Sequence, residues 1–361
     1  MAVAPAGVER LRERLEPLEV EALLVTHPIN MRYLVGFTGD VGLLLVSRDA
    51  VELAVDPRYT EQARREVSGE TAIRETRRKW EEALAEMVAE QGLRVIGIEG
   101  DHVTVSQYER WLHALPEGVR LQPFSGEVET LRAVKRPEEI AAIEQAVALT
   151  DEVFMALRDW LRPGVTELEA AWFVESYVRT HGGEAMAFDP IIAAGTNGAM
   201  AHARPSDRPI ARREPIVVDI GARVNGYNAD LTRTLWIGAP TERFQSLYNV
   251  VLEAQLSAEA GIRAGMTAKE ADALARSVIE AAGHGEDFGH SLGHGVGLAI
   301  HEEPRVSWTS EAALEPGNVC TVEPGIYLPD WGGIRIEDMV AIEAGGARVL
   351  TRAPKEPWLA D

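Results

Sequence analysis

Three stretches of this sequence carry oxygen and nitrogen ligands at spacings that suit a cation. In Ile216-Val217-Val218-Asp219-Ile220-Gly221-Ala222-Arg223-Val224-Asn225-Gly226-Tyr227-Asn228-Ala229-Asp230, the Asn225-Gly226 pair between two strand patterns marks a two-residue hairpin. That turn sets Val224 against Tyr227 and Gly221 against Asp230. Asp219 then shares a face with Asp230 as its diagonal neighbour, about 7–8 Å away at the backbone, so the two side chains can converge on one ion. Two such carboxylates repel unless something cationic lies between them. A pair on a solvated face is the alternative, and the apolar run Ile216–Val218 just before Asp219 weighs against it.

The second stretch is Gly289-His290-Ser291-Leu292-Gly293-His294-Gly295-Val296-Gly297-Leu298-Ala299-Ile300-His301, which holds three of the nine histidines. Its glycines exclude a long helix, so His290 and His294 are not a helical pair, and they let the backbone approach something closely. The third stretch offers Glu323, ending an apolar strand at Pro324-Gly325, and Glu337, alternating with Arg335 after Gly332-Gly333. A hairpin through Pro329-Asp330-Trp331 would set these glutamates across from each other, though so long a turn fixes register weakly, and ordinary strand-end glutamates are the alternative. Asp219, Asp230, Glu323, Glu337 and one histidine together suit two divalent cations about 3.5–4 Å apart, bridged by carboxylates and a water. Oxygen-rich ligation leans toward Mn²⁺, with Co²⁺ or Zn²⁺ as other occupants.

Positioning these residues takes two domains, which the length of 361 residues allows. Residues 1–125 alternate helical and strand patterns, with a helix at Val8–Leu18 and strands at Ala22–Thr26, Leu43–Val46, Val51–Val55 and Val95–Ile98, an α/β domain. Residues 126–137 read as a linker. Residues 138–361 begin with long helices and end in glycine-punctuated strands. Within them, Arg162-Pro163-Gly164-Val165-Thr166-Glu167-Leu168-Glu169-Ala170 is echoed 101 residues later by Arg263-Ala264-Gly265-Met266-Thr267-Ala268-Lys269-Glu270-Ala271. Each copy carries a glycine stop and a Thr-x-x-Glu capping box, as two similar halves around a cleft would. The composition is globular: 46% hydrophobic, 26% charged, with a formal charge of −21 that disfavours nucleic acid as a partner. No apolar run is long enough for a membrane span, the N-terminus lacks a signal-peptide core, and the single Cys320 forbids an internal disulfide, so a cytoplasmic location is expected.

This combination resembles the pita-bread metallopeptidases, in the aminopeptidase P and prolidase branch. The likeness extends to Arg32-Tyr33-Leu34-Val35-Gly36-Phe37-Thr38-Gly39, Asp56-Pro57-Arg58-Tyr59, and Leu131-Arg132-Ala133-Val134-Lys135-Arg136-Pro137-Glu138-Glu139-Ile140. It implies an α/β creatinase-like N-terminal domain and an α+β pita-bread catalytic domain with pseudo-twofold halves. It implies two metal ions per chain held by Asp219, Asp230, His294, Glu323 and Glu337, with Asp230 and Glu337 bridging. A bridging hydroxide would then hydrolyse the bond between a first residue and a following proline. Glu323 would receive the water's proton. His202, in Ala201-His202-Ala203-Arg204-Pro205, would act with His301 on the tetrahedral intermediate and the departing nitrogen. His290 and Arg335 would flank the proline pocket. The resemblance also implies a homodimer in which the N-terminal domain limits substrate length, with the loop around Thr38–Val41 and the Arg77–Trp80 segment as candidates for reaching across. Asp40-Val41 departs from the more polar pair of many relatives, which touches substrate length and not chemistry. The rivals are a creatinase-like C–N hydrolase without metals, a methionine aminopeptidase, and a non-catalytic pita-bread binding protein. All five ligands and the N-terminal domain of this chain speak against them.

Overall fold

The computed structural model describes residues 7–67 and 69–359, so the extreme N-terminal residues on which the location reading partly rests lie outside it. The chain forms two compact units, divided between Arg132 and Ala133.

The N-terminal unit is a six-stranded sheet of β1 (Ala22–Val25), β2 (Leu43–Ser47), β3 (Val51–Val55), β4 (Ala72–Glu75), β5 (Val95–Glu99) and β6 (Arg120–Phe124), in the order β4-β3-β2-β1-β5-β6. Its helices are α1 (Gly7–Leu15), α2 (Pro28–Val35), α3 (Thr60–Glu66), α4 (Trp80–Gln91), α5 (Val105–Ala114) and α6 (Glu127–Ala133). The central strands are continuous apolar runs, as strands covered on both faces must be. Ile96, Ile98, Leu24, Leu45 and Met87 pack together in the core. Ala72-Ile73-Arg74-Glu75 and Arg120-Leu121-Gln122-Pro123-Phe124 form the two edges, and their mixed polarity hid them from a hydrophobic-run reading. Trp80 packs against this unit's own core. The stretch 126–137 contains α6.

The C-terminal unit opens with α7 (Pro137–Trp160) and α8 (Glu167–Thr180). Pro137 takes the first helical position, and Glu139 accepts from the Arg136 backbone N–H at 3.1 Å. Then come β7 (Ala185–Met186), β8 (Ile191–Ala194), β9 (Ile216–Ile220), β10 (Ala222–Val224), β11 (Tyr227–Asn228) and β12 (Leu231–Ile237). The second half repeats the plan with α9 (Glu242–Gly261) and α10 (Ala268–Ala281), followed by β13 (Gly293–Gly295), β14 (Glu302–Val306), β15 (Val319–Val322), β16 (Gly325–Leu328), β17 (Gly332–Arg335), β18 (Asp338–Glu343), β19 (Gly346–Val349) and β20 (Trp358–Leu359). The main sheets run β20-β12-β9-β8 and β14-β13-β15-β18-β19.

The internal echo is structural. Thr166 and Thr267 each cap a helix, with the Glu169 and Glu270 backbone N–H groups donating to the threonine hydroxyls at 3.1 Å. Each glutamate side chain in turn accepts from its threonine N–H at 2.8 Å. Gly164 N–H donates to Ile210 O at 2.9 Å, and Gly265 N–H to Leu314 O at 2.8 Å. Isolated bridges pair Thr166 with Pro209 and Thr267 with Ala313. Each half closes its own apolar core, one around Phe154, Val174, Val218 and Ile220, the other around Phe244, Val251 and Ile334.

Candidate metal centre

The Asn225-Gly226 turn has φ of 52° and 81°, both in the left-handed region a two-residue hairpin needs. Val224 pairs with Tyr227, and β9 pairs with β12 with Ile220 against Leu231 and Asp219 against Thr232. One register therefore runs through both pairings and sets Asp230 diagonal to Asp219. The second hairpin pairs Gly325 with Arg335 and Leu328 with Gly332, a register that carries on to Glu323 opposite Glu337. The segment bearing Glu337 lies beside β12, because Glu337 N–H donates to Thr232 O at 3.0 Å. Arg233, itself buried, anchors it further by donating to Glu337 O at 2.5 Å and to Asp338 Oδ1 at 2.7 Å. Two hairpins from opposite halves thus bring their carboxylates together.

Asp219, Asp230 and Glu337 are buried, with Glu337 only 1% exposed. Burial pushes the carboxyls of Asp230 and Glu337 well above the usual range, and their neighbours' negative charges add to it. Glu323 is raised by burial as well. Buried carboxylates keep their charge only with partners, and here the partners are incomplete. Arg335 Nη2 donates to Asp219 Oδ2 at 2.6 Å and Thr232 Oγ1 to Glu337 Oε2 at 2.7 Å. Asp219 Oδ1 and Glu337 Oε1 are buried without a hydrogen-bond partner among the described residues. Asp230, His294 and Glu337 each offer a ligand atom, all within 4.8 Å of one another. Crowded anionic oxygens with orphaned lone pairs fit divalent cations.

His294 lies on β13, where Gly293 and Gly295 let the strand sit against its neighbours; a Cβ on Gly293 would stand 2.1 Å from Thr321 O. Its Nδ1 lies 3.1 Å from Gly295 O, which assigns the proton there and leaves the Nε2 lone pair toward Glu323 Oε1 at 3.4 Å and Asp230 Oδ2 at 3.6 Å. Burial holds His294, His290 and His301 below the usual imidazole range. His301 packs edge-on against His294 with ring centroids 4.2 Å apart. His202 is exposed, and its charge bears on both His290 and His301.

Arg335, expected beside the substrate, is 3% exposed. Its guanidinium is committed to Asp219, to Thr232 Oγ1 at 3.0 Å and to Tyr327 Oη at 2.6 Å. Tyr327 also meets His290 Nε2 at 2.9 Å, and burial pushes its hydroxyl up to about 12. Sequence reasoning missed Tyr327, whose alternation with Gly325 on β16 was the available signal. It also missed Thr232, Thr321, which donates to Glu323 Oε1 at 2.9 Å, and the buried Lys135–Glu302 pair at 2.8 Å. Glu302 Oε2 accepts from Ala299 N–H at 3.3 Å, and Asn228 Nδ2 donates to Gly297 O and Leu298 O, so the loop leading to His301 is tied down. Cys320 is buried and its thiol raised to about 12, so it supplies no thiolate.

Known proteins share this architecture. Residues 141–344 match the metallopeptidase family M24, and residues 8–134 match the creatinase/prolidase N-terminal domain. A Xaa-Pro dipeptidase of Pyrococcus furiosus is 37% identical over 96% of this chain and 99% of its own length. Among solved structures, a Xaa-Pro dipeptidase from Bacillus anthracis superposes with a TM-score of 0.95 at 38% identity, covering 98% of this chain and 99% of the other. An X-Pro aminopeptidase from Thermotoga maritima gives 0.89 at 35%, covering 96% and 100%.

Proposed function

The chain belongs to metallopeptidase family M24, and from that premise we propose that it hydrolyses the peptide bond between an N-terminal residue and proline, with Xaa-Pro dipeptides as substrates. The observation that carries this reading is the set of buried carboxylates with orphaned oxygens, in a chain 37% identical to a Xaa-Pro dipeptidase. Asp219, Asp230, His294, Glu323 and Glu337 would hold two divalent ions, Mn²⁺ by ligand chemistry, with Asp230 and Glu337 shared between them. When bound, such ions supply Lewis acidity and a water acidic enough to be a nucleophile near neutral pH.

The protein's own groups do the rest. Glu323, with a raised pKa and Thr321 on Oε1, is suited to take up a proton and release it to the leaving nitrogen. His301 and His202 would donate to the developing oxyanion and the departing amine. His290 and Tyr327 would shape the proline pocket, and Arg335 would act on it through Tyr327. A proline nitrogen brings no N–H, so selection rests on ring shape.

The same proposal includes a cytoplasmic homodimer in which the N-terminal unit limits substrate length; no helix among the described residues is long and apolar enough to cross a membrane. The test is release of the first residue from Xaa-Pro and Xaa-Pro-Yaa peptides by metal-free and Mn²⁺-loaded protein, with light scattering for the dimer. Full turnover after exhaustive chelation, or no preference for proline, would overturn the reading.

A further inference from the structure

The N-terminal unit holds a second histidine–carboxylate constellation that hydrolysis does not use. His27 stands just before α2, His102 follows β5, and Glu129 lies on α6. Glu99, at the end of β5, accepts from the backbone N–H groups of Thr26 and His27 at 2.6 and 2.9 Å, so the turn bearing His27 is pinned. Asn30 Nδ2 donates to Glu99 at 2.7 Å and to Glu129 Oε1 at 2.6 Å, which fixes the second carboxylate beside the first. The two imidazoles stack with centroids 3.8 Å apart and an interplanar angle of 27°. His102 Nε2 lies 3.2 Å from Glu129 Oε1.

Two observations independent of each other point to a ligand. One atom from each of His27, His102 and Glu129 falls within 4.8 Å of the others. Nδ1 of His27 is buried and has no hydrogen-bond partner among the described residues. A buried imidazole nitrogen normally finds a donor, an acceptor or a metal.

We propose that His27, His102 and Glu129 form a zinc site in the N-terminal unit that shares no residue with the catalytic centre. Two imidazoles and one carboxylate are a borderline donor set that favours Zn²⁺, where the carboxylate-rich centre favours harder ions. Ligands about 2.0–2.1 Å from a tetrahedral ion stand about 3.4 Å apart. The His102–Glu129 separation of 3.2 Å is close to that spacing, and all three ligand atoms lie within 4.8 Å of one another. Water takes the fourth position. Arg132, which donates to Asn30 Oδ1 at 2.8 Å, opposes a cation. Glu99, Asp101 and Glu127, lining one pocket with His102 and Glu129, offset it. An ion there would tie α2 and α6 to the loop after β5, a structural role.

The test uses full-length protein carrying Asp230→Ala and Glu337→Ala, which removes the bridging carboxylates of the catalytic centre. Zinc is loaded after chelation, the excess is removed by gel filtration, and the metal is counted by elemental analysis. Adding His102→Ala is expected to lose one zinc per chain, and adding Glu129→Gln, which keeps a hydrogen-bond acceptor for Asn30, to weaken that zinc at least tenfold. The same His102→Ala difference is read in otherwise wild-type protein, which covers a misfolded background. A zinc count that neither substitution changes overturns the proposal.

Discussion

Each compact unit of this chain holds a histidine–carboxylate cluster, and the two differ in which groups burial leaves without a partner. In the C-terminal unit Asp230, Glu323 and Glu337 are pushed toward their neutral forms, and two of the cluster's carboxylate oxygens lack partners among the described residues. In the N-terminal unit a single carboxylate is satisfied by Asn30 and His102, desolvation and the charges of His102 and Arg132 hold His27 down at about 4, and the orphan is an imidazole nitrogen. The difference separates a cluster of crowded carboxylates from one built on a pair of stacked imidazoles. The first concentrates negative charge at the cost of stability. The second is a stacked pair of rings that an ion would reinforce.

Breaking the carboxylate-rich cluster has the largest expected effect. Asp230→Ala or Glu337→Ala should lower kcat/KM by about 10³-fold or more, since the ions supply several kcal/mol of transition-state stabilisation. Calorimetric titration should show that neither variant keeps two tight metal sites; retention of both would refute the bridging roles. The metal-free protein provides a sharper comparison. Raised carboxylate pKa values mean stability that is full at acid pH and lost as pH rises through the folded-state values. Chelated Glu337→Gln should therefore melt above chelated wild type at pH 8, and the advantage should shrink toward pH 5.

Smaller losses are expected one step from the ligands. His301→Ala and His202→Ala should each reduce kcat by about 10²-fold, as for loss of a transition-state donor, with metal content intact. Loss in KM alone would assign them to binding instead. Thr232→Val removes the hydroxyl that donates to Glu337 and accepts from Arg335. It should weaken metal binding by about 10–100-fold, measured by competition with a chelator; unchanged affinity would show that the hydroxyl does not orient Glu337.

Much of this comparison was legible in the residues. The Asn225-Gly226 turn set the Asp219/Asp230 register because a two-residue hairpin leaves no slack, and the paired Thr-x-x-Glu boxes marked the repeated halves because caps are local. Tyr327, Thr232 and the Lys135–Glu302 pair were not legible. Their partners lie 8 to 167 residues away, and ordinary residue types announce nothing until the strands are side by side. For Arg335, alternation with Glu337 gave the face, and only packing showed that Asp219 occupies its guanidinium. The N-terminal cluster escaped because His27, His102 and Glu129 sit in three separate segments with no metal-ligand spacing between them.

The smallest expected effect tests the imidazole side of the comparison directly. His27 has a folded-state pKa near 4, below the 6.5 of an unperturbed histidine. A depressed value means that its contribution is present above about 6.5 and is lost as pH falls toward 4, because the unfolded chain binds the proton first. The ring is half-buried, so solvent screening keeps the contribution modest. Urea midpoints measured in the presence of a chelator, from pH 7.5 down to 4.5, should fall more steeply for wild type than for His27→Asn, which cannot titrate. Carboxylates elsewhere titrate in the same window in both proteins, and the difference between the two curves isolates His27. Parallel curves would mean that the ring is protonated as readily folded as unfolded, and the contrast between the two clusters would then rest on the carboxylates alone.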